Sequence, residues 1–396
     1  MTTYSPSTPH SQSAVDSGDG LEKTQDTVVE VKAAPTFPDG GTKAWMAVLG
    51  CSLVSFTSYG QLNAFGVFQT YYAEHQLADR SASDISWIGS IQLSAIYFCG
   101  LLLGPAMDRY GATVLLVSGW LLSTFCLMML SLSKTYYQIF LSHGLGFGIG
   151  LALQFYPLLV IPAQWFGRKR GLAMGIVVAG ANLSGVIFPI MLSRLFQSIG
   201  FPWAVRTLGF MCFALQGISI PFIRTRLPPR ANAPRFDKTI TKDRAFILHA
   251  LSGFFISFAL YTPFWYIELF AVQQGVGTTL TFYLIAIMNA AGLVGRVLLG
   301  QLSDLIGTFN ITICTLVLGS IATLAIWITS HSSGELVVFA VIYGLSAGSY
   351  TSLGAACTTK LTSAPALIGV RVGIFMTAMA PGILTGPSIA GGTVVS

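Results

Sequence analysis

Eleven apolar stretches, most of them close to the roughly 20 residues a helix needs to cross a bilayer, dictate the solvent this chain folds in. Six fall at about 44–72, 85–107, 113–132, 136–163, 172–195 and 203–223. Five more follow at about 245–272, 280–302, 309–330, 335–359 and 372–390. Only 9% of the residues are charged, where a soluble domain carries roughly 25%. The fold class expected is an all-α polytopic membrane protein of two helical bundles, six helices and then five. Its parts are a tail at 1–43, rich in Ser, Thr, Pro and acidic residues and expected to be disordered, and a six-helix bundle at 44–223. A polar, proline-studded linker at 224–244 then leads to a bundle of five helices at 245–396. The chain stops where a twelfth helix would begin.

Two bundles suggest duplication, and one stretch does repeat. Gly104-Pro105-Ala106-Met107-Asp108-Arg109-Tyr110-Gly111 closes the second apolar run, and Gly300-Gln301-Leu302-Ser303-Asp304-Leu305-Ile306-Gly307 closes the eighth. Each holds a glycine, an aspartate four residues on and a glycine three beyond that. Glycines suit a tight turn between helices. An aspartate there is expected to accept hydrogen bonds from the free N–H groups of the next helix and to complement its dipole. Two such turns at matching places in a hydrophobic chain mark a secondary transporter. Asp108, Arg109 and Asp304, with Gly104, Gly111, Gly300 and Gly307, are the expected gating residues.

The formal net charge of +6 does not point to nucleic acid, because the basic residues fall mostly in alternate loops. With the N-terminus inside, sixteen lie in inner segments and four outside, namely Arg80, Lys134, Arg194 and Arg206. This bias assigns the tail, the linker and both aspartate turns to the cytoplasmic side. The start is polar and the first apolar run is late and long, unlike a cleavable signal. The six cysteines are scattered without a C-x-x-C pair and read as small hydrophobes. Neither G-x-x-x-x-G-K-[ST] nor G-x-S-x-G occurs, and no His and carboxylate spacing suits a metal. An enzyme, a nucleotide-driven pump and a bound metal or other cofactor are therefore not expected. Gradient-driven movement of a small solute is.

With sixteen cations inside and four outside, Arg296 alone remains within the membrane. A guanidinium there is costly and by default marks a pathway or a substrate counter-ion; the bland alternative is that it snorkels to the interface. It lies eight residues before Asp304, about 12 Å along a helix. Asn289 lies two turns earlier on the same face. Tyr59, Gln61 and Asn63 in the first run, Gln154 and Tyr156 in the fourth, and Tyr261, Trp265 and Tyr266 in the seventh add polar groups that should face protein or water. Arg296, Asn289, Asn63, Tyr59 and Tyr261 are the expected substrate-binding residues. His143 and His249 read as hydrogen-bonded structural histidines, and Glu268 as an interface residue at least as readily as a proton carrier. The glycines at 144, 146, 148 and 150 suggest a close-packing face.

Three of these stretches carry a family resemblance. Pro38-Asp39-Gly40-Gly41-Thr42-Lys43-Ala44-Trp45 resembles one signature of the monocarboxylate porters, a branch of the major facilitator superfamily. Trp165-Phe166-Gly167-Arg168-Lys169-Arg170-Gly171-Leu172-Ala173-Met174-Gly175, continuing to Ala179-Gly180, is similar to a second. The paired aspartate turns match the loop motif of the superfamily. The chain resembles the fungal branch of that family from about Pro38 to its end. The resemblance implies two bundles rocking about a path lined by helices 1, 4, 7 and 10. It also implies that Arg296 engages a substrate carboxylate. The family's helix 1 lysine falls at Asn63, and the acidic partner of its arginine at Gly292. The function expected is a multi-pass plasma-membrane (or vacuolar) carrier of small organic acids or related metabolites. Its partners would be the solute, a coupling proton for symport and the lipid bilayer. Efflux of a secondary metabolite, or a truncated non-transporting member or sensor, is the alternative.

Overall fold

The computed structural model describes residues 38–226, 240–330, 332–362 and 367–394. Most of the expected tail, 1–37, and the linker residues 227–239 lie outside that set. Among the described residues every regular element is helical. Eight helices are long and apolar enough to cross a membrane, and a bent pair makes a ninth. One of the eight, Arg170–Phe222, is 53 residues long, about twice a bilayer crossing. It breaks at Gly200, whose φ of 76° and ψ of 164° are not helical, so it makes two passes.

The helices in chain order begin with α1, made of Thr42–Thr57, Gly60–Asn63 and Phe65–Tyr71. Next come α2 (Ala82–Phe98 and Gly100–Tyr110), α3 (Ala112–Leu130) and α4 (Tyr136–Trp165). The pieces on either side of Gly200 are α5 (170–199) and α6 (201–222). The second bundle holds α7 (Arg244–Gln273), α8 (Thr278–Ile306), α9 (Thr308–Trp327), α10 (Ser333–Leu361) and α11 (Ile368–Val394). The order matches the eleven expected runs. Large apolar side chains such as Leu102, Phe255, Leu305 and Leu324 lie exposed on the outside, while Gln92, Gln154, Asn182, Asn289 and Arg296 are buried. That inversion of the soluble pattern is what a lipid solvent selects.

The aspartate stretches are not loops. Residues 104–110 and 300–306 continue α2 and α8 as helix, and the chain turns at single residues, Gly111 (φ 82°) and Gly307 (φ 112°). Within these two stretches only Gly111 and Gly307 take the left-handed region, where a residue with a Cβ would be strained. The others serve a different purpose. A Cβ at Gly104 would meet the carbonyl of Gly369, and one at Gly373 the carbonyl of Gly100, so α2 and α11 cross backbone to backbone. A Cβ at Gly300 would meet the carbonyl of Gly171, and one at Gly175 the carbonyl of Arg296, so α5 and α8 cross in the same way. Small residues permit this approach where no hydrophobic force drives helices together.

Two breaks shape the middle of the molecule. The two pieces of α2 meet at 47°. In α7 the helix stops at Tyr261 and restarts at Thr262–Pro263. Pro263 has no N–H to give the carbonyl of Ala259, a loss that would be costly inside a bilayer. The Tyr343 hydroxyl of α10 donates to that carbonyl at 3.2 Å and to the carbonyl of Leu260 at 3.1 Å. The break is thus built into the packing.

Gly175→Ala and Gly373→Ala should each destabilise the protein by about 1–3 kcal/mol, the usual effect of overpacking. Gly66→Ala is the control, since nothing lies within 4 Å of its Cβ position. Thermal melting of the detergent-purified proteins reads the difference; equal melting of all three would mean the crossings are looser than described.

Candidate functional site

Arg296 is 7% exposed and enclosed by protein, which rejects the snorkelling alternative. Its Nη1 donates to Thr351 Oγ1 at 3.1 Å, and its buried Nε has no partner. Among the described residues no carboxylate is paired with it, unlike Arg80 with Asp79 and Arg371 with Asp243. Elsewhere in the interior the phenols of Tyr59, Tyr97 and Tyr261 form a cluster. These three hydroxyls touch one another. Tyr59 Oη is 2.9 Å from Tyr261 Oη and 3.2 Å from Tyr97 Oη, and Tyr97 Oη is 2.8 Å from Tyr261 Oη. Tyr261 sits at the break of α7, and the ring of Tyr59 stacks on Phe155 at 4.8 Å. The structure thus joins Tyr59 and Tyr261, two of the expected residues, through Tyr97, and gives Arg296 the Thr351 hydroxyl; no local sequence pattern marked Tyr97 or Thr351.

The asparagines belong to a neighbouring contact. Asn63 Nδ2 donates to the carbonyl of Ala181 in α5 at 3.0 Å, and Asn289 Nδ2 to the carbonyl of Ile285 at 3.1 Å. Both flank Gly185, where an added Cβ would lie 3.0 Å from Asn63 Cβ and 2.9 Å from Asn289 Cγ. They join α1, α5 and α8 with amide groups spent on backbone. His143 accepts from or donates to the Tyr72 hydroxyl at 2.8 Å, and His249 Nε2 meets the carbonyl of Gly354 and the Thr358 hydroxyl, each at 3.1 Å. Both histidines have the structural role expected. Glu268 is half-buried on α7. No group of His, Cys, Asp and Glu among the described residues suits a metal ion.

The aspartates cap helices, but not those that follow them in the chain. Asp304 at the end of α8 accepts from the N–H groups of Gly171 and Leu172, at 2.8 and 2.9 Å, at the start of α5. Asp108 at the end of α2 accepts from Val370 N at 3.1 Å, at the start of α11. This corrects the expectation that each would cap the next helix. The close glycine crossings deliver each carboxylate to the first turn of a helix in the other bundle, where free N–H groups and the dipole favour it. Gly104, Gly111, Gly300 and Gly307 serve the same junctions. Arg109 does not: it is exposed, with its guanidinium 5.5 Å from the ring of Tyr110.

Two further aspartates complete the pattern. Asp39, before α1, takes the N–H groups of Gly167 and Arg168 on one carboxylate oxygen at 2.6 and 2.7 Å, and its own N–H donates to the carbonyl of Trp165 at 3.2 Å. Asp243, before α7, caps Phe246 N at 3.1 Å and pairs with Arg371 at 2.7 Å. Arg170 begins α5 and bonds back to the carbonyls of Phe166 and Ala163; Arg371 in the first turn of α11 bonds back to that of Leu361. Each bundle therefore has an aspartate before its first helix and an arginine at the start of its fifth. The second aspartate of each set comes from the other bundle.

The family description "Major Facilitator Superfamily" matches residues 51–387. The chain belongs to the major facilitator superfamily. It is 40% identical to the aspyridones efflux protein of Emericella nidulans over 92% of this chain and 75% of that protein. It is 38% identical to the agnestins efflux protein of Paecilomyces divaricatus over 88% of this chain and 80% of that one. The crystal structure of the human organic anion transporter TETRAN superimposes with a TM-score of 0.71 over 89% of this chain and 93% of that chain. At 14% identity this likeness concerns the fold alone. A multi-pass membrane transporter of this superfamily, with its all-helical fold, is what the chain encodes.

Asp243 lends itself to a pH test. The N–H of Phe246, and then the Arg371 guanidinium, hold its carboxyl below its ordinary value of 3.8. A depressed folded-state value gives stability that is present above the unfolded value and lost as pH falls through the folded one. Asp243→Asn should cost about 2 kcal/mol at pH 7, the scale of a hydrogen bond to a charged group. The melting-temperature gap to wild type should persist to pH 4 and close only below that. A gap that closed between pH 7 and 5 would assign it to another group.

Proposed function

We propose that this protein exports an anionic secondary metabolite by alternating access, with the anion held at Arg296 and the tail, linker and aspartate clamps facing the cytoplasm. The two bundles would rock about Arg296, and the clamps of Asp304 on α5 and Asp108 on α11 would break as the cytoplasmic end opens. One observation carries the anion site. The α2–α11 and α5–α8 crossings are duplicates, and Arg296, eight residues before Asp304, stands where the other copy has Gly100, eight residues before Asp108. A glycine makes the same crossing without a buried charge. The guanidinium is thus not needed for packing, and a buried cation with an unpartnered N–H is placed to meet an anion.

The outward direction and the metabolite class follow the names of the efflux relatives. A second reading, uptake of small organic acids by a member of the monocarboxylate porter family, has its own support. The two stretches that resemble that family's signatures lock onto each other through Asp39, Gly167 and Arg168, and Trp45 packs on Phe166 at 4.9 Å. Proton coupling through a carboxylate one turn before Arg296 is disfavoured in this reading, since the expected acidic position is Gly292.

Reconstituted vesicles separate the readings. Labelled aspyridones and agnestins should leave the compartment corresponding to the cytoplasm faster than labelled lactate crosses in either direction. Arg296→Gln should lower that flux at least about tenfold, the effect of losing a charged hydrogen-bond donor, with the protein still folded. Lactate moving faster than either metabolite would favour uptake of organic acids, and undiminished flux in the variant would remove Arg296 from the site.

A further inference from the structure

α1, α2 and α7 are each interrupted partway, and each interruption carries one phenol of the cluster that touches the other two. Tyr59 lies between the pieces of α1 that end at Thr57 and resume at Gly60. Tyr97 is the last residue but one of the first piece of α2, which meets the second at 47°, and Tyr261 separates Leu260 from Thr262 in α7. Tyr59 and Tyr261 hold matching places in the duplicated bundles, each seventeen residues after its helix begins. Tyr97 has no twin. Leu293 stands at its place in α8, seven residues before Gly300 as Tyr97 is seven before Gly104, and α8 runs unbroken from Thr278 to Ile306. The first bundle thus has a bend that the second lacks. The phenol at that bend reaches across to the opposite bundle, 2.8 Å from Tyr261 Oη.

The carbonyls freed at these interruptions are met in a way that lets the angle change. Free carbonyls inside a bilayer are costly, so each needs a donor. At the bend of α2 the Tyr156 hydroxyl of α4 donates between two consecutive carbonyls, 3.1 Å from that of Ile96 and 3.4 Å from that of Tyr97. At the break of α7 the Tyr343 hydroxyl of α10 does the same for Ala259 and Leu260. A backbone N–H has a fixed direction, whereas a hydroxyl hydrogen rotates to follow whichever carbonyl approaches. The Thr377 hydroxyl of α11, 3.3 Å from the Tyr97 carbonyl, marks where α2 leaves its glycine crossing with α11. From there toward Asp108, backbone lies on backbone. In the other direction the first piece of α2 lies against α4 of its own bundle, with Ile91 and Gln92 at Gly144 and Gly148.

We propose that Tyr59, Tyr97 and Tyr261 are the pin of a shared hinge. Around it the first piece of α2 and the portions of α1 and α7 beyond their tyrosines swing together, while the glycine crossings at the clamp end hold the remaining portions. The inference rests on the reading that the bundles alternate in access, and it is independent of the solute and its charge. Rigid bundles could alternate with no bend in α2, just as α8 has none. What the pin adds is coupling. Tyr97 is fully buried and Tyr59 is 5% exposed, so a hydroxyl pulled from the cluster has no water to turn to. A swing of α7 at Tyr261 therefore draws Tyr97 of the opposite bundle with it. The end of the carrier away from the clamps then closes from both sides at once.

Spin labels on introduced cysteines measure this in the full chain in lipid nanodiscs, with the exposed Cys314 changed to serine. One pair, Trp87→Cys with Val114→Cys, spans the α2 bend inside the first bundle. A second, Tyr110→Cys with Leu305→Cys, spans the two bundles at the clamp end; all four sites are exposed. Asp108→Asn with Asp304→Asn weakens both clamps. The clamp-end pair should then lengthen, and the pair across the bend should shift by about 4 Å, the reach of a roughly 15° swing over an arm of about 15 Å. Tyr97→Phe and Tyr261→Phe keep the rings and lose only the hydroxyls. With either added, the clamp end should open as before while the shift across the bend falls to less than half. Melting temperatures confirm that the variants are folded, and either phenol variant suffices if the other is not. A pair across the bend that stays fixed while the clamp end opens means rigid bundles, which overturns the hinge and leaves alternating access standing. A bend that shifts equally without the hydroxyls overturns the pin in the same way. Clamp variants in which neither pair moves overturn both readings.

Discussion

Backbone lying directly on backbone, at the two seams between the bundles, is the constraint the molecule is built around. Where α2 crosses α11 and α5 crosses α8, glycines leave no side chain between the helices. In lipid there is no hydrophobic gain from hiding one apolar helix behind another, so close packing and polar contacts must hold them. The approach fixes the level at which the bundles face each other. It sets Asp108 and Asp304 against the first turns of α11 and α5, and it sets the position of Arg296 one turn above Gly300 at the same seam. Separate the crossings by the width of a methyl group and the carboxylates would no longer reach their N–H groups.

The magnitudes would suit junctions that open in the cycle proposed above. A hydrogen bond from a backbone N–H to a carboxylate contributes about 1.5–3 kcal/mol net, and the dipole term adds about 0.3–1 kcal/mol in the first turn. Each clamp is then worth a few kcal/mol, enough to populate one arrangement and little enough for binding energy to reverse. Asp39 and Asp243 differ in kind. Asp39 ties the chain before α1 to the loop entering α5, and Asp243 ties the chain before α7 to Arg371, each within its own bundle. They hold the helix that receives the clamp, so that the clamp of the opposite bundle has a fixed target.

Much of this was legible in the residues because period and length report directly on a lipid solvent. The helices of the described residues begin and end within a few residues of the expected apolar runs, and the repeat around Asp108 and Asp304 announced the duplication. Partners across the fold were not legible. Nothing near Asp304 in the chain says that its hydrogen bonds go to Gly171 and Leu172 rather than to α9, because capping rules are local and this contact is not. Tyr97 escaped notice for the same reason: it is one aromatic in an apolar run, and only the folded crossing of α1, α2 and α7 gives its hydroxyl two partners. Arg109 stood out as a charge beside a conspicuous aspartate, yet helix geometry turns adjacent residues about 100° apart. One reaches the seam and the other reaches the surface.

The duplication itself exposes where symmetry has been given up. Glycines at 104, 300, 171, 175, 369 and 373 recur in both crossings, as do the aspartates and the arginines at 170 and 371. The exception at the seam is Arg296 opposite Gly100. A buried guanidinium costs several kcal/mol of desolvation even after relaxation, and one hydroxyl, Thr351, does not offset that. A cost carried by one copy of a repeat and not by its twin has to be recovered by something the twin does not do. The packing is the same in both, so on the reading proposed above the recovery would come from an anion that meets the arginine during the transport cycle.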